Sequence, residues 1–257
     1  MVTNLAQFFI ACPLVFLAGF VDSIAGGGGL ISIPGYLIAG LPPVTASATN
    51  KLSAGMGATV ATGNYFKNGF INIKLAIPCI MTAMIFSSFG AKVQMMIPEY
   101  YLKIFMLIAL PLTLLLVLNK ESLKSKTLLK KKLTKKVYSL SLFISAMMGF
   151  YDGLYGPATG TFLMIFFVKV VEMNIKESNG IAKAINWATN MGALALFLTS
   201  GKVIVSLGLT AGVCNMIGNY LGSKLFIKKG VDVARPIMIT VMLIFIIKIL
   251  LELFHII

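Results

Sequence analysis

Apolar residues in this chain gather into ten runs, at 5–24, 29–39, 45–66, 71–91, 99–118, 137–155, 160–172, 178–199, 203–223 and 236–254. Polar residues fall mainly in the joints between these runs and in one stretch near the middle. A helix rises 1.5 Å per residue, so runs of about 20 residues match a hydrocarbon core of roughly 30 Å. The second and seventh runs, at 11 and 13 residues, are too short to cross alone and read as half-helices or parts of broken helices.

Composition agrees with a bilayer as solvent. Of 257 residues, 58% are hydrophobic and 12% charged, and the mean hydropathy is +0.93. A soluble domain carries about a quarter of its residues as charges, so soluble metabolic enzymes are set aside. The formal charge of +14 is local, with eight of the 21 lysines falling between Lys120 and Lys136. Apolar runs flank that cluster closely, which points to a cytoplasmic loop and not to a nucleic-acid patch. If the short segments complete a crossing, five passes per half place 16 basic residues inside and 3 outside; if they re-enter, the division is 11 and 8. The first arrangement fits the positive-inside bias better and puts both termini outside. The first run lacks a basic n-region and reads as a retained span.

Shifted against itself, the chain repeats. Gly19-Phe20-Val21-Asp22 recurs as Gly149-Phe150-Tyr151-Asp152 at an offset of 130. Lys51, Gly69, Gly90 and Lys92 fall on Lys183, Gly201, Gly222 and Lys224 at 132. Two similar halves that each cross an odd number of times must insert upside down relative to one another, the plan of transporters whose site lies near the midplane between broken helices. The expected fold is an all-α membrane protein of about ten helical segments in two inverted repeats of five, broken after Gly26 and Gly156. Residues 1–118 form the first repeat, 119–137 the lysine-rich loop and 138–257 the second repeat.

The first break holds Gly26, Gly27, Gly28 and Gly29. Bare main-chain N–H groups ahead of a half-helix can take an anion, and irregular backbone at membrane depth borders protein or a wet cavity. The bland reading is close helix packing through small residues. The second break, Gly156-Pro157-Ala158-Thr159-Gly160-Thr161, offers hydroxyls, Thr159 among them. Asp22 and Asp152 precede the two breaks. They read either as helix caps or as groups that couple a proton or substrate. Lys51 and Lys183 sit about six residues into long helices, where they either snorkel or attract an anion. One Asp and one Lys from each half balance charge if they pair.

The halves differ in their amides. Lys183, Asn186 and Asn190 share one helical face, matched in the first half by Lys51, Ala54 and Ala58. Asn215 and Asn219 match Ala83 and Ser87. Such amides either hydrogen-bond a polar solute or join helices. Cysteines at 12, 79 and 214 have no metal spacing, and the one histidine is His255, so no metal site or cofactor is expected. No serine–histidine, HExxH or paired-aspartate arrangement supports an enzyme. A proton-coupled cation or metal carrier using Asp22 and Asp152 is the alternative transporter, and a non-transporting scaffold is the weaker one.

The stretch 18–30, with Gly40-Leu41-Pro42-Pro43 and Ala48-Thr49-Asn50-Lys51-Leu52, resembles the sulfite exporter TauE/SafE family, and 178–193 resembles that family's second copy. The resemblance implies a bacterial or archaeal inner-membrane protein that exports sulfite or another sulfur-containing anion, with Asn50 beside Lys51 in the substrate site. It departs at Gly156-Pro157-Ala158-Thr159-Gly160 and at Ile181-Ala182-Lys183, where the family is richer in glycine and in Thr-Ser/Asn-Lys. The resemblance adds a small anion as partner to the bilayer that composition requires and to the coupling proton that Asp22 and Asp152 leave open; nucleic acid is not expected, and self-association is left open.

Overall fold

The computed structural model describes residues 4–98, 100–102, 104, 132–229 and 236. The expected span at 236–254, most of that at 99–118, and the lysine-rich loop through Lys131 lie outside the described residues.

Eight helices are laid out: α1 (Leu5–Ala25), α2 (Gly29–Ile38), α3 (Pro43–Lys67), α4 (Ile73–Met96), α5 (Lys135–Leu154), α6 (Thr159–Lys169), α7 (Ile175–Thr199) and α8 (Val205–Lys229). The order long, short, long, long occurs twice, and helix starts in the two sets differ by 130, 130, 132 and 132 residues. No strand occurs among the described residues. Local chemistry sets the starts. Asn4 and Gln7 form a capping box on α1, Pro43 begins α3 at the position where its missing N–H costs nothing, and Asn72, Thr134 and Asn174 cap α4, α5 and α7.

Helices α1, α4 and α5 are long and apolar enough to cross a membrane. α3, α7 and α8, at 25 residues each, are just as long but carry more polar and small residues, in keeping with an inner position for α3 and α7. On α4 the side chains of Ile77, Met81, Ile85 and Phe89 are exposed at every fourth residue, and on α8 the matching row is Leu209, Val213, Ile217 and Leu221. In water such rows are a liability; in a bilayer they face hydrocarbon. Asn50, Lys51, Asp152, Lys183, Asn190 and Asn219 are instead buried. Charged and amide groups are thus held inside an otherwise apolar core while apolar rows face outward.

Glycines set the closest approaches. A Cβ on Gly218 or Gly222 of α8 would strike the backbone of Phe16 or Phe20 in α1, and one on Gly149 or Gly153 of α5 would strike that of Ala83 or Ser87 in α4. Both pairs are four residues apart, the small-xxx-small spacing that lets membrane helices touch along their backbones. Short α2 turns back along α1: Gly28 abuts Asp22, Gly35 abuts Leu14, and the Gln7 amide donates to Ala39 O at 3.1 Å. α3 therefore begins at the same end of the bundle as α1.

α3 and α7, which match one another at 132, pack antiparallel. Tyr65 near the end of α3 meets Asn179 near the start of α7, and Gly55 meets Asn190 and Met191 further along.

Candidate functional site

Both helix breaks lie at the centre and touch. The N–H of Gly26 donates to Asp22 O at 2.7 Å, and Gly26 ends α1 with φ at 80°, a left-handed conformation that suits glycine. Its α-carbon faces Gly160 so closely that a Cβ there would enter the Gly160–Thr161 backbone. Gly29 lies against Pro157 in the same way. On the other side Gly156 is left-handed at φ 96°, and so is Ala158 at 60°, just before α6. Close packing thus accounts for Gly26, and its N–H is already used.

Two buried ion pairs flank this crossing, each joining a lysine of one half to an aspartate of the other. Lys51 Nζ lies 2.7 Å from Asp152 Oδ2 and also donates to Asp152 O at 2.6 Å. Thr159 Oγ1 donates to the second carboxylate oxygen at 2.8 Å. Lys183 Nζ lies 2.9 Å from Asp22 Oδ2. Each lysine is eight residues into its helix, about 12 Å by helical rise. Because α3 and α7 run oppositely, one pair sits toward each end of the bundle, with the crossed breaks between. Unpaired charges at this depth cost several kcal/mol, whereas four paired ones leave the interior neutral.

A small cavity opens beside the breaks. Its wall includes Asp22, Gly26, Gly28 and Gly29 from the first break, Asn50 and Lys51 from α3, and Asp152, Asn186, Asn190 and Asn215 from the second half. Its volume is about 20 Å³, room for about one water and too little for an oxyanion of four heavy atoms. A solute enters only when these walls part.

Four expected residues are not in that wall. Lys183 lies behind Asp22 and Thr159 behind Asp152. Gly27 serves the turn into α2 through its carbonyl, which accepts from Leu30 N–H. Asn219 donates to Asn215 Oδ1 at 2.8 Å and accepts at its carbonyl from Ser223, both bonds within α8. Asn215 lines the wall and also joins helices, since its amide donates to Val15 O in α1 at 2.9 Å. The Asn190 amide donates to Asn186 O at 2.7 Å. Among the described residues no cluster of three His, Cys, Asp or Glu stands together, and both cavity carboxylates already hold ammonium groups.

The wall also contains Ser32, Ala54, Gly156 and Gly160. The repeat signals Gly156, which matches Gly26 at 130, and Ala54 is the small residue opposite Asn186. Ser32 falls one turn past Gly28, to whose carbonyl it donates at 3.1 Å. Outside the wall, Tyr65 OH donates to Ser23 O at 2.9 Å, and the Asn179 amide donates to Ile24 O and to Tyr65 OH, both at 2.8 Å. This knot satisfies the carbonyls at the end of α1, and no spacing in the sequence signals it.

The family model for sulfite exporter TauE/SafE matches residues 11–249. The chain belongs to the sulfite exporter TauE/SafE family. Within the TauE/SafE family it is similar to a probable membrane transporter protein, ORF9, of a Sinorhizobium species, at 35% identity over 98% of this chain and 94% of the relative. It is also similar to the probable membrane transporter protein YfcA of Escherichia coli K12, at 34% over 91% and 84%, and to YdhB of Bacillus subtilis, at 26% over 82% and 85%. No solved structure matches. Family membership and lipid-facing helices make this TauE/SafE chain a membrane protein of a transporter family.

Proposed function

We propose that this protein exports a small anion, sulfite or another sulfur-containing oxyanion or organosulfonate, across the inner membrane by alternating exposure of the cavity at the crossed breaks. The observation that carries the reading is the pair of buried lysines, Lys51 on the cavity wall and Lys183 behind Asp22, each drawn from the opposite half to its aspartate. Buried ammonium groups attract an anion once their carboxylates yield. The amides of Asn186, Asn190 and Asn215 then supply directional hydrogen bonds, and small Ala54 leaves room opposite them. Two inverted repeats, 1–118 and 138–257, rock about the breaks, with the lysine-rich loop inside and both termini outside. The matching helix starts and the antiparallel α3 and α7 support this arrangement.

Protein-dependent flux of labelled sulfite into proteoliposomes tests the reading. Lys51→Ala with Lys183→Ala lowers it at least about tenfold, the loss expected from about 1.4 kcal/mol or more of anion binding. Asn186→Ala with Asn190→Ala, which leaves the ion pairs intact, also lowers it. Wild-type flux in both variants rejects the site.

A further inference from the structure

The two ion pairs are alike in kind and unlike in grip. Lys51 is bonded to both the carboxylate and the main-chain carbonyl of Asp152, and Thr159 holds the remaining carboxylate oxygen. The Asp152 side chain is 3% exposed. Lys183 reaches Asp22 through one oxygen, and the Asp22 side chain, on the cavity wall, is 14% exposed. Both carboxylates border the cavity, but one pair is a clamp fixed from three directions and the other is a single contact whose carboxylate is the more exposed.

We propose that Asp22 is the switching carboxylate of the transport cycle and carries one proton with each anion, while Asp152 stays ionised as a positioning residue for Lys51. This rests on the anion-transport reading and assigns its coupling. Two carboxylates and the Lys51 ammonium line the cavity, and the Lys183 ammonium lies just behind Asp22; the four charges cancel, so an entering anion adds an uncompensated negative charge. That charge favours proton uptake by the carboxylate able to reach water. A proton adds to a carboxylate oxygen of Asp22, the Asp22–Lys183 ion pair breaks, and the anion takes the place of Asp22 beside Lys183. On release the anion leaves, Asp22 gives up the proton, and the pair re-forms. Charge balances throughout: a monoanion moves with one proton electroneutrally, and a dianion carries one net negative charge.

The groups facing Asp22 leave it as the candidate. Lys183 comes from α7, and Tyr65 of α3 bonds the carbonyl of the adjacent Ser23. The Lys51–Asp152 pair faces it across the cavity. From α2, α6 and α8 the wall presents Gly28, Ser32, Gly160 and Asn215, none of which titrates. Glycine at 28 is part of the design, because a Cβ there would press on Asp22 Cβ, 2.6 Å away, and hinder its movement.

The test is exchange of labelled sulfite across proteoliposomes with equal pH on both sides, read as a pH profile for the full-length chain. Protonation of sulfite itself is common to every variant, so comparison with wild type at each pH isolates the protein's contribution. Wild-type exchange changes by at least about fivefold per pH unit over part of the range, as a one-proton step allows. Asp22→Asn keeps measurable exchange and loses the part of the slope that exceeds sulfite's own protonation, and Asp22→Glu restores it. Asp152→Asn lowers thermal stability, and its residual exchange keeps the wild-type slope. A wild-type profile in Asp22→Asn, or that loss of slope in Asp152→Asn alone, overturns the assignment while leaving anion transport standing. Wild-type protein with no sulfite exchange at any pH overturns both.

Discussion

Removing the ammonium of Lys51 tests the clamp directly. Lys51→Met keeps most of the stem volume and leaves the Asp152 carboxylate, 3% exposed, without its cation and Asp152 O without the donor 2.6 Å away. Stranding one member of a buried pair costs about 3–5 kcal/mol. In domains of this size about 1 kcal/mol shifts a melting midpoint by roughly 2–4 °C, so the detergent-solubilised variant melts about 6–20 °C below wild type. Removing both charges, as Lys51→Met with Asp152→Leu, returns most of that loss, since an apolar replacement of a buried pair is often neutral or stabilising. Thermal melting followed by fluorescence or size-exclusion retention gives all four corners of the cycle. Additive losses, with the double variant below either single one, refute the coupling and with it the view of this pair as a fixed clamp.

Three further outcomes follow from the same geometry. Gly26→Ala, strained at φ 80° and driven into the Gly160–Thr161 backbone, lowers the melting midpoint by more than about 5 °C, the scale of a backbone-incompatible substitution; an unchanged melt means the breaks do not touch. Gly218→Leu or Gly153→Leu forces apart α1 and α8 or α4 and α5 and abolishes monodisperse elution from size exclusion, whereas Gly63→Leu, with nothing within 4 Å, elutes normally. Single cysteines placed at Lys67 and at Lys202 in a background lacking Cys12, Cys79 and Cys214 label from opposite faces of intact cells, the first only after permeabilisation. Protection of both until permeabilisation, as re-entrant short segments require, or labelling of both from outside rejects the crossing assigned to α2.

Much of this architecture was legible in the residues, because what repeats in the sequence at 130 and 132 repeats in the order and starts of the helices. Two breaks, two aspartates ahead of them and two lysines early in their helices follow from spacing alone, although the lysines lie eight residues in and not the six read from the apolar runs. What spacing does not carry is partner choice. Lys51 meets Asp152 across 101 residues and Lys183 meets Asp22 across 161, and no local periodicity distinguishes those pairings from pairing within a half. The glycine run misleads in part for the same reason: its chemistry suits an anion, but contact between Gly26 and Gly160 depends on where the other half lies. Asn219 shows the converse. An asparagine four residues from another reads equally as ligand or as glue, and the structure turns its amide along its own helix to the carbonyl and side chain of Asn215, off the cavity wall.

Where the repeat fails, the two ends of the bundle stop being equivalent. Tyr65, Asn179 and Phe226 correspond at 132 to Phe197, Ser47 and Gln94. At one end Tyr65 OH and the Asn179 amide bond the carbonyls of Ser23 and Ile24, and the Tyr65 and Phe226 rings meet edge to face at 6.1 Å. At the other end Phe197 has no hydroxyl to give, and the Ser47 hydroxyl and both amide atoms of Gln94 are buried without a hydrogen bond. An unmet buried polar group costs about 1–3 kcal/mol, which water entering that end would recover. Separation at the Tyr65 end instead breaks bonds already made. The Asp22–Lys183 pair lies toward the knotted end and the Asp152–Lys51 clamp toward the unsatisfied one, so the looser ion pair is set beside the tighter helix contact. Neither end is held by both devices at once, and neither is free of both.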